Sequence, residues 1–592
     1  MKKIITSIVL LIALNINAQN ILELNPSNFP ITIPSGFINF NNKLFYIGTN
    51  TTYGRELWLT DGTLSGQQLL KNIGFQYGLN VVSAFQDQTG EASFGKSYVF
   101  NGKLFFNASQ DYSFSPIVFT ADGTEAGTIP FDPNNTKINF IRYFKEFNGR
   151  LYFTAYNNIS GTEIWSTDGT LAGTTLLKDI NPGTGTSVYY DPSFTVFNNK
   201  MYFKADDGVH GMELWSTNGT EAGTSLLIDI NLGTYDTSSI GTFIRNGNFL
   251  DEHFKVAGNK FYFRGYQAND PNDTYSLYVS DGTAAGTQRI SYLNGYGYSV
   301  TYDGLGLTVL NNMLYYYGIK NIPSPISGGG TTDQVGIFTT DGTTAGTTLI
   351  KDFGNSVFNF FGDNGWSDDD TTPNSMRIVN GKAYFLNNLR LWCTDGTTNG
   401  TVRITNDSFD AFDYQKRMVS QEFDGKFYFV KNAGPGTQTG IYSATGTASS
   451  VNYEGKSNSQ HATNAETLNM SSFPSQLKAF GNSLYFSADY GSGTKNLWRL
   501  RSPSLSATQS TSYSSTFHLY PNPTSNVLNL NFENNLENAI LKIISLTGQT
   551  VFEQQNITGT ILNLDVSGLN SGLYLIQISN GSSIYNSKFI KK

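Results

Sequence analysis

The stretch Glu163-Ile164-Trp165-Ser166-Thr167-Asp168-Gly169-Thr170-Leu171-Ala172-Gly173-Thr174-Thr175-Leu176-Leu177-Lys178-Asp179-Ile180 decides the architecture of this chain. Its two ends are short apolar runs of strand character, and its middle, Asp-Gly-Thr-x-x-Gly-Thr, is rich in turn formers. Residues Glu213 to Ile230 repeat it almost letter for letter. Weaker copies turn at Asp61, Asp122, Asp281, Asp341, Asp395 and, degenerately, Thr445, with a mean spacing of about 55 residues. A truncated ninth copy reads Asn496-Leu497-Trp498-Arg499-Leu500.

A second signature precedes each copy. Phe147-Asn148-Gly149-Arg150-Leu151-Tyr152-Phe153 is typical, and the signature too occurs nine times in all. Asn-Gly or Asn-Asn between aromatic runs predicts a tight hairpin, because both residues accept positive φ. One unit therefore holds two strands joined by that hairpin, a variable loop, a third strand, the Asp-Gly-Thr turn and a fourth strand. Four antiparallel strands in tandem repeat predict propeller blades. A large ring stands at one position of each unit: Trp58, Phe119, Trp165, Trp215, Tyr278, Phe338, Trp392, Tyr442 and Trp498. These rings are expected to pack between neighbouring sheets. The ninth unit stops after its third strand, and Ile21-Leu22-Glu23-Leu24 matches the fourth-strand pattern. Residues 21–24 are thus expected to complete the last blade and hide its edge. The prediction is an all-β chain: a β-propeller of about eight or nine four-stranded blades over 19–501, then a small immunoglobulin-like β-sandwich. One divergent unit outside the ring, or two smaller propellers, are the alternatives.

Composition agrees with an all-β reading and narrows function. Among 592 residues, charged and aromatic types are each 14%, and glycine numbers 60. The net charge is −8, without a basic stripe, so nucleic acid is not an expected partner. A single cysteine, Cys393, excludes an internal disulfide and a multi-cysteine metal site. The four histidines, 210, 253, 461 and 518, show no paired-ligand spacing.

Both ends read as addresses. Met1-Lys2-Lys3, the apolar run Ile4 to Leu14 and Asn15-Ile16-Asn17-Ala18 predict a signal peptide over 1–18. No later apolar stretch is long enough to suggest a transmembrane segment. A Ser/Thr-rich linker is expected over 502–516. The tail then carries Leu519-Tyr520-Pro521-Asn522-Pro523, Asp565-Val566-Ser567-Gly568-Leu569, Gly572-Leu573-Tyr574-Leu575-Ile576 and Lys588-Phe589-Ile590-Lys591-Lys592. In this order the motifs of 517–592 resemble the type A C-terminal sorting domain of the type IX secretion system of Bacteroidota. The resemblance assigns the sorting motif to Pro521, Asn522, Pro523, Gly568, Gly572, Tyr574 and Lys588. It implies passage by way of the periplasm through the outer membrane, with the secretion machinery and a sortase-like peptidase as partners, and a secreted or cell-surface product. Residues 20–500 resemble the ELWxxDGT repeat proteins, a resemblance that brings a propeller-like fold and no activity.

Candidate functional residues lie in the variable loops, since function sits on loops over a rigid scaffold. The long ones are Gly233–His253, Gly265–Ser276, Tyr292–Gly306, Gly318–Val335 and Phe353–Met376. The last holds Asp363, Trp366, Asp368, Asp369 and Asp370, an aromatic beside carboxylates that suits a sugar ring or a hard cation such as Ca²⁺. The repeated turn Asp is expected to cap its own backbone rather than hold metal. Glu56, Glu163 and Glu213 read as strand-edge residues. No GxSxG elbow, phosphate loop or metalloprotease motif is present. The expectation is a binding or adhesion protein for an extracellular glycan or protein, with no catalytic residue and no cofactor beyond the Ca²⁺ reading. A polysaccharide- or peptide-degrading hydrolase and a structural surface-layer protein are the alternatives.

Overall fold

The computed structural model describes residues 21–24, 31–63, 66–74, 76–77, 80–81, 97–109, 117–133, 137–189, 191–230, 244–245, 248–249, 254–265, 276–290, 298–299, 307–323, 331–353, 376–387, 390–405, 419–431, 440–454, 475–488, 495–501, 517–545, 550–580 and 583–592. It divides into two compact units, residues 1–503 and 504–592. Among the described residues no helix is long and apolar enough to cross a membrane.

Among the described residues the first unit contains nine antiparallel sheets built on one four-strand plan, here numbered in the order of their first strands. The fourth shows the plan: Thr195–Phe197, Lys200–Asp206, Met212–Thr217 and Ser225–Ile228, each paired with the next. Its first hairpin turns at Asn198 and Asn199, with φ of 45° and 58°. Both central residues in the left-handed region match the right-handed twist of the flanking strands. The sixth sheet has a fifth strand, Tyr298–Ser299, paired with Met313–Pro323.

That sixth sheet also departs from expectation. Much of Gly318–Val335, read from sequence as a loop, is strand. Met313–Pro323 and Thr331–Thr340 pair from Leu314↔Thr340 out to Pro323↔Thr331. Alternation within this polar hairpin is weak, so its strands could not be separated from a loop by hydrophobic pattern.

The ninth sheet is closed by the opposite end of the chain. Ile21–Glu23 runs antiparallel to Asn496–Arg501, with Ile21 opposite Leu500 and Glu23 opposite Trp498. The Leu24 N–H donates to Leu497 O at 2.9 Å, and Asn496 Nδ2 donates to Glu23 Oε1 at 2.6 Å. Leu24 itself is fully buried, in a cluster with Tyr46 and Trp58 of the first sheet and Tyr485 and Leu497 of the ninth.

Neighbouring sheets are bonded through the two repeat signatures. The hairpin Asn of one sheet donates to the turn of the next: Asn41 Nδ2 to Asp122 O at 2.8 Å, and Asn101 Nδ2 to Asp168 O at 3.1 Å. Second-strand tyrosines reach the next turn glycine, as Tyr152 to Gly219 O and Tyr202 to Gly282 O. Lysines reach other carbonyls of the next turn: Lys71 to Thr128 O, Lys178 to Thr224 O and Lys260 to Asp341 O. Tyr315 to Gly396 O and Lys382 to Thr445 O carry the series to the eighth sheet, where Asn380 also donates to the hairpin glycine, Gly425 O. The ninth returns to the first, where Arg499 donates to Gly62 O and Asn39 Nδ2 donates to Ala479 O. First strands touch between sheets four and five, five and six, eight and nine, and nine and one, which puts them at the inner edge of a propeller-like arrangement.

Each repeat ring is core. Eight of the nine are buried and Trp392 is half-buried. Most stack on the second-strand aromatic, as Phe119 on Phe106, Tyr278 on Phe263 and Tyr442 on Phe429. Such large rings supply much of the apolar burial available to a sheet-on-sheet interface.

The junction of sheets eight and nine lacks one part of this scheme. The ninth sheet has no Asp-Gly-Thr turn, so Tyr428 has no turn glycine to meet. Among the described residues its hydroxyl is buried without a hydrogen-bond partner, while its ring packs with Leu477, Leu484 and Phe486. Tyr428→Phe should therefore leave stability unchanged or raise it slightly. Tyr202→Phe, which removes a bonded hydroxyl, should cost about 1 kcal/mol. Denaturant titration of both variants checks the contrast, and an equal loss in the two would contradict it.

The second unit pairs Phe517–Tyr520, Val527–Ser545, Thr550–Asp565, Gly572–Asn580 and Ser583–Lys591 in one network. Val527–Ser545 has 19 residues, and its pairing with Thr550–Asp565 is broken by register shifts between Asn531 and Leu541. Both of its halves contribute to one core, Leu528 and Leu530 from one, Leu541 and Ile543 from the other. A straight strand would hold those halves roughly 40 Å apart, so the breaks fold it over a shared interior.

Candidate ligand-binding loops and the sorting motif

The turn aspartates are explained by their own backbones. Asp168 Oδ1 accepts from Thr170 N at 2.9 Å and Thr170 Oγ1 at 2.7 Å, and Thr170 Oγ1 accepts from Gly173 N. The same three bonds recur at Asp122, Asp281, Asp341 and Asp395, with Asn218 Oδ1 substituting for the carboxylate in the fourth sheet. The Thr170 hydroxyl and amide hold the Asp168 carboxyl below its ordinary range. At Thr445 the residue opposite the turn takes over: Ser450 Oγ accepts from Thr445 N and Thr447 N. Position 173 must be glycine, since a Cβ there would occupy the space of the Asp168 carboxylate. These acids are committed to turn geometry.

The hairpin turn of one sheet meets the Asp-Gly-Thr turn of the next, so both kinds of turn lie on one face. Connections from second to third strand and from fourth to the following first strand leave the other strand ends, on the opposite face. That opposite face is the variable one.

The three glutamates brace it. They are buried third-strand residues rather than the edge residues expected from sequence. Glu56 accepts from Ile73 N and Gly74 N, and Glu213 from Ile230 N. Glu163 accepts from Asn181 N at 3.2 Å and from Ser187 Oγ at 2.5 Å. Each carboxylate thus clasps the chain just after the fourth strand. The partner lies 17 to 24 residues away, which is why local sequence did not reveal the role. Burial pushes the Glu163 carboxyl up to about 7, against the opposing bonds from Ser187, Asn181 and Ile180, and nearby Asp179 adds to the rise.

A carboxyl raised above its unfolded value favours the fold most when protonated, so this contribution falls as pH climbs from about 4.5 to about 7. Glu163→Gln should flatten the pH dependence of stability across that window by up to about 3 kcal/mol. Parallel denaturant titrations at the two ends of the window check it; an identical slope in wild type and variant would contradict it.

On this face the loops of sheets three and four adjoin. Asp206 N donates to Ser187 O at 2.9 Å, and Gly208 lies against the Asn181 side chain. They present Ile159, Tyr189 and Val209, exposed by 80%, 57% and 74%. His210 Nδ1 lies 2.7 Å from Asp207 Oδ2, and this bond raises the imidazole above its ordinary value. The sequence reading missed this surface; exposed apolar tips in short turns were the available signal. Asp363, Trp366, Asp368, Asp369 and Asp370 lie outside the described residues. Among the described residues no group of three or more His, Cys, Asp or Glu is arranged to hold a metal ion. Cys393 is buried, and burial pushes its thiol up to about 11.

In the second unit the residues that the resemblance assigns to the sorting motif fall into two groups. Asn522 Nδ2 donates to Lys588 O at 3.2 Å and Asn522 Oδ1 accepts from Ile590 N at 2.9 Å. Thr524 N donates to Ile590 O and Lys592 N to Thr524 O. Asn522 and Thr524 thereby clip the outer edge of the last strand. Flanking Pro521 and Pro523 have no N–H of their own to place there. Gly568 lies in a turn where Ser567 N donates to Asp565 Oδ1 and Leu569 N to Val566 O. The chain continues to Gly572, and buried Tyr574 donates from its hydroxyl to Asn570 O.

Comparison with known proteins bears on the two units unequally. Comparison with curated proteins gives no match. Among solved structures, two prolyl endopeptidases studied together give one likeness, at 10% identity and a TM-score of 0.31, over 86% of this chain and 55% of that one. A puromycin-hydrolyzing peptidase from Mycobacterium tuberculosis shows 10% identity, 66% and 58% coverage and a TM-score of 0.29. The polysaccharide lyase Uly1 shows 12%, 61%, 91% and 0.29. The chain spans little more than half the length of the two peptidases, and none of the three lends it an activity. Residues 518–592 match the family described as the secretion system C-terminal sorting domain. That tail implies interaction with the type IX secretion machinery and marks a protein exported by that route to the cell surface or the extracellular space.

Proposed function

We propose that the chain is a secreted or surface-displayed binding or adhesion protein, whose first unit is a single closed nine-bladed propeller scaffold. Its ligand is an extracellular glycan or protein taken up by the variable loop face. The observation that carries the reading is the division of labour between the two faces. The hairpin Asn, the tyrosines and the lysines join one sheet to the next, and the turn Asp shapes the turn that receives them. Buried glutamates brace the loops opposite, leaving those loops, including Ile159, Tyr189 and Val209, to vary. The acidic loop with Asp363, Trp366, Asp368, Asp369 and Asp370 belongs to the same proposed surface.

A polysaccharide and glycan array, probed with the mature chain in calcium and in chelator, tests this. A specific hit lost in Trp366→Ala or Ile159→Asp is expected. A clean negative there, and in a pull-down of surface proteins from the native host, would contradict it.

A further inference from the structure

The sorting unit carries an outward apolar patch that its own core does not use. In Gly572–Asn580 the side chains alternate: Tyr574, Ile576 and Ile578 are buried, while Leu573 and Leu575 are 37% and 40% exposed. In Ser583–Lys591, Phe589 is buried and Ile590 is 47% exposed. The register sets Leu573 opposite Ile590, and Leu575 between Lys588 and half-buried Ile544. These four apolar residues are therefore contiguous on one sheet face. Its rim is cationic. Lys588 and Lys592 are exposed, and Lys542 lies two residues from Ile544. The carboxylate in the adjoining row, Glu553, is already engaged with Lys542 at 3.5 Å.

The chemistry distinguishes between occupants. Protein-binding cores favour aromatic rings and Arg and are depleted in Lys. Here the patch is Leu and Ile within a lysine rim. That combination suits an anionic lipid surface: lysines meet headgroup phosphates while the aliphatic side chains enter the interface. We propose that this face of the sorting unit docks on an anionic membrane surface of the kind the protein meets on its way out. The proposal is independent of what the propeller binds.

Vesicle co-sedimentation of the mature full chain tests it, comparing phosphatidylcholine vesicles with vesicles that also contain phosphatidylglycerol. Binding to the anionic vesicles alone is expected, falling as salt is raised. Lys588→Gln should weaken it about fivefold. Leu575→Ser should weaken it further, and Ile129→Ser, at an exposed position of the first unit, should not change it. Lys588→Gln leaves the apolar core untouched, so its result stands even if Leu575→Ser proves unstable. Absence of binding, equal binding to neutral vesicles, or full binding by both sorting-unit variants would each overturn the proposal.

Discussion

Removal of Ile21–Leu24 is expected to open the first unit and to lower its melting temperature substantially. These residues supply the fourth strand of the ninth sheet, paired with Asn496–Arg501. Their loss would uncover that strand's edge and strip the cover from Tyr485 and Leu497. Leu24 is fully buried, and Leu24→Ala by itself should cost about 2–5 kcal/mol. The Glu23–Asn496 bond and the Leu24–Leu497 bond go with the deletion. An unpaired strand edge is also a template for association, so the truncated protein should aggregate on heating. Thermal unfolding followed by circular dichroism checks the result. An unchanged melting temperature would show that the N-terminal strand does not hold the sheets together.

Trp215→Ala should have an effect of similar size. Trp215 is buried in a cluster that joins Phe203 and Met201 of its own sheet to Phe147, Tyr152 and Ile164 of the third. The substitution leaves a cavity between two sheets that have little room to collapse, since backbone bonds fix each sheet. A loss of about 3–5 kcal/mol is expected by chemical denaturation. The fourth sheet carries Lys178, Tyr152 and Asn148 contacts from the third on its turn, so partial unfolding should begin at that interface. Hydrogen exchange should show peptides of sheets three and four losing protection together. A loss under 1 kcal/mol would mean that the ring is not the interface anchor described.

What could be read from sequence was what short-range chemistry fixes. The Asp168 turn bonds within six residues, so its role follows from spacing alone. Asn198-Asn199 announces its hairpin in the same way. The closing strand was legible because Ile21–Leu24 echoes the pattern of Leu176–Ile180. Roles that depend on distant partners were not. Glu163 looks like any strand residue until Ser187 is brought to it, 24 residues on. Asn41 reads as a turn former, and its bond to Asp122 O needs the neighbouring sheet. Asn522 finds its partners in the last strand, 66 and 68 residues away. The acidic loop was singled out on composition, a criterion that weighs charge and aromatic content but carries no geometry. The exposed Ile159 and Val209 stand singly in short polar loops, a fainter mark than a cluster of acids.

Electron microscopy of the mature protein tests the central claim most directly. Face-on class averages should show one ring of nine sheets, because contacts run from each sheet to the next and from the ninth back to the first. Two smaller rings, or eight sheets with one unit packed outside, would contradict the account.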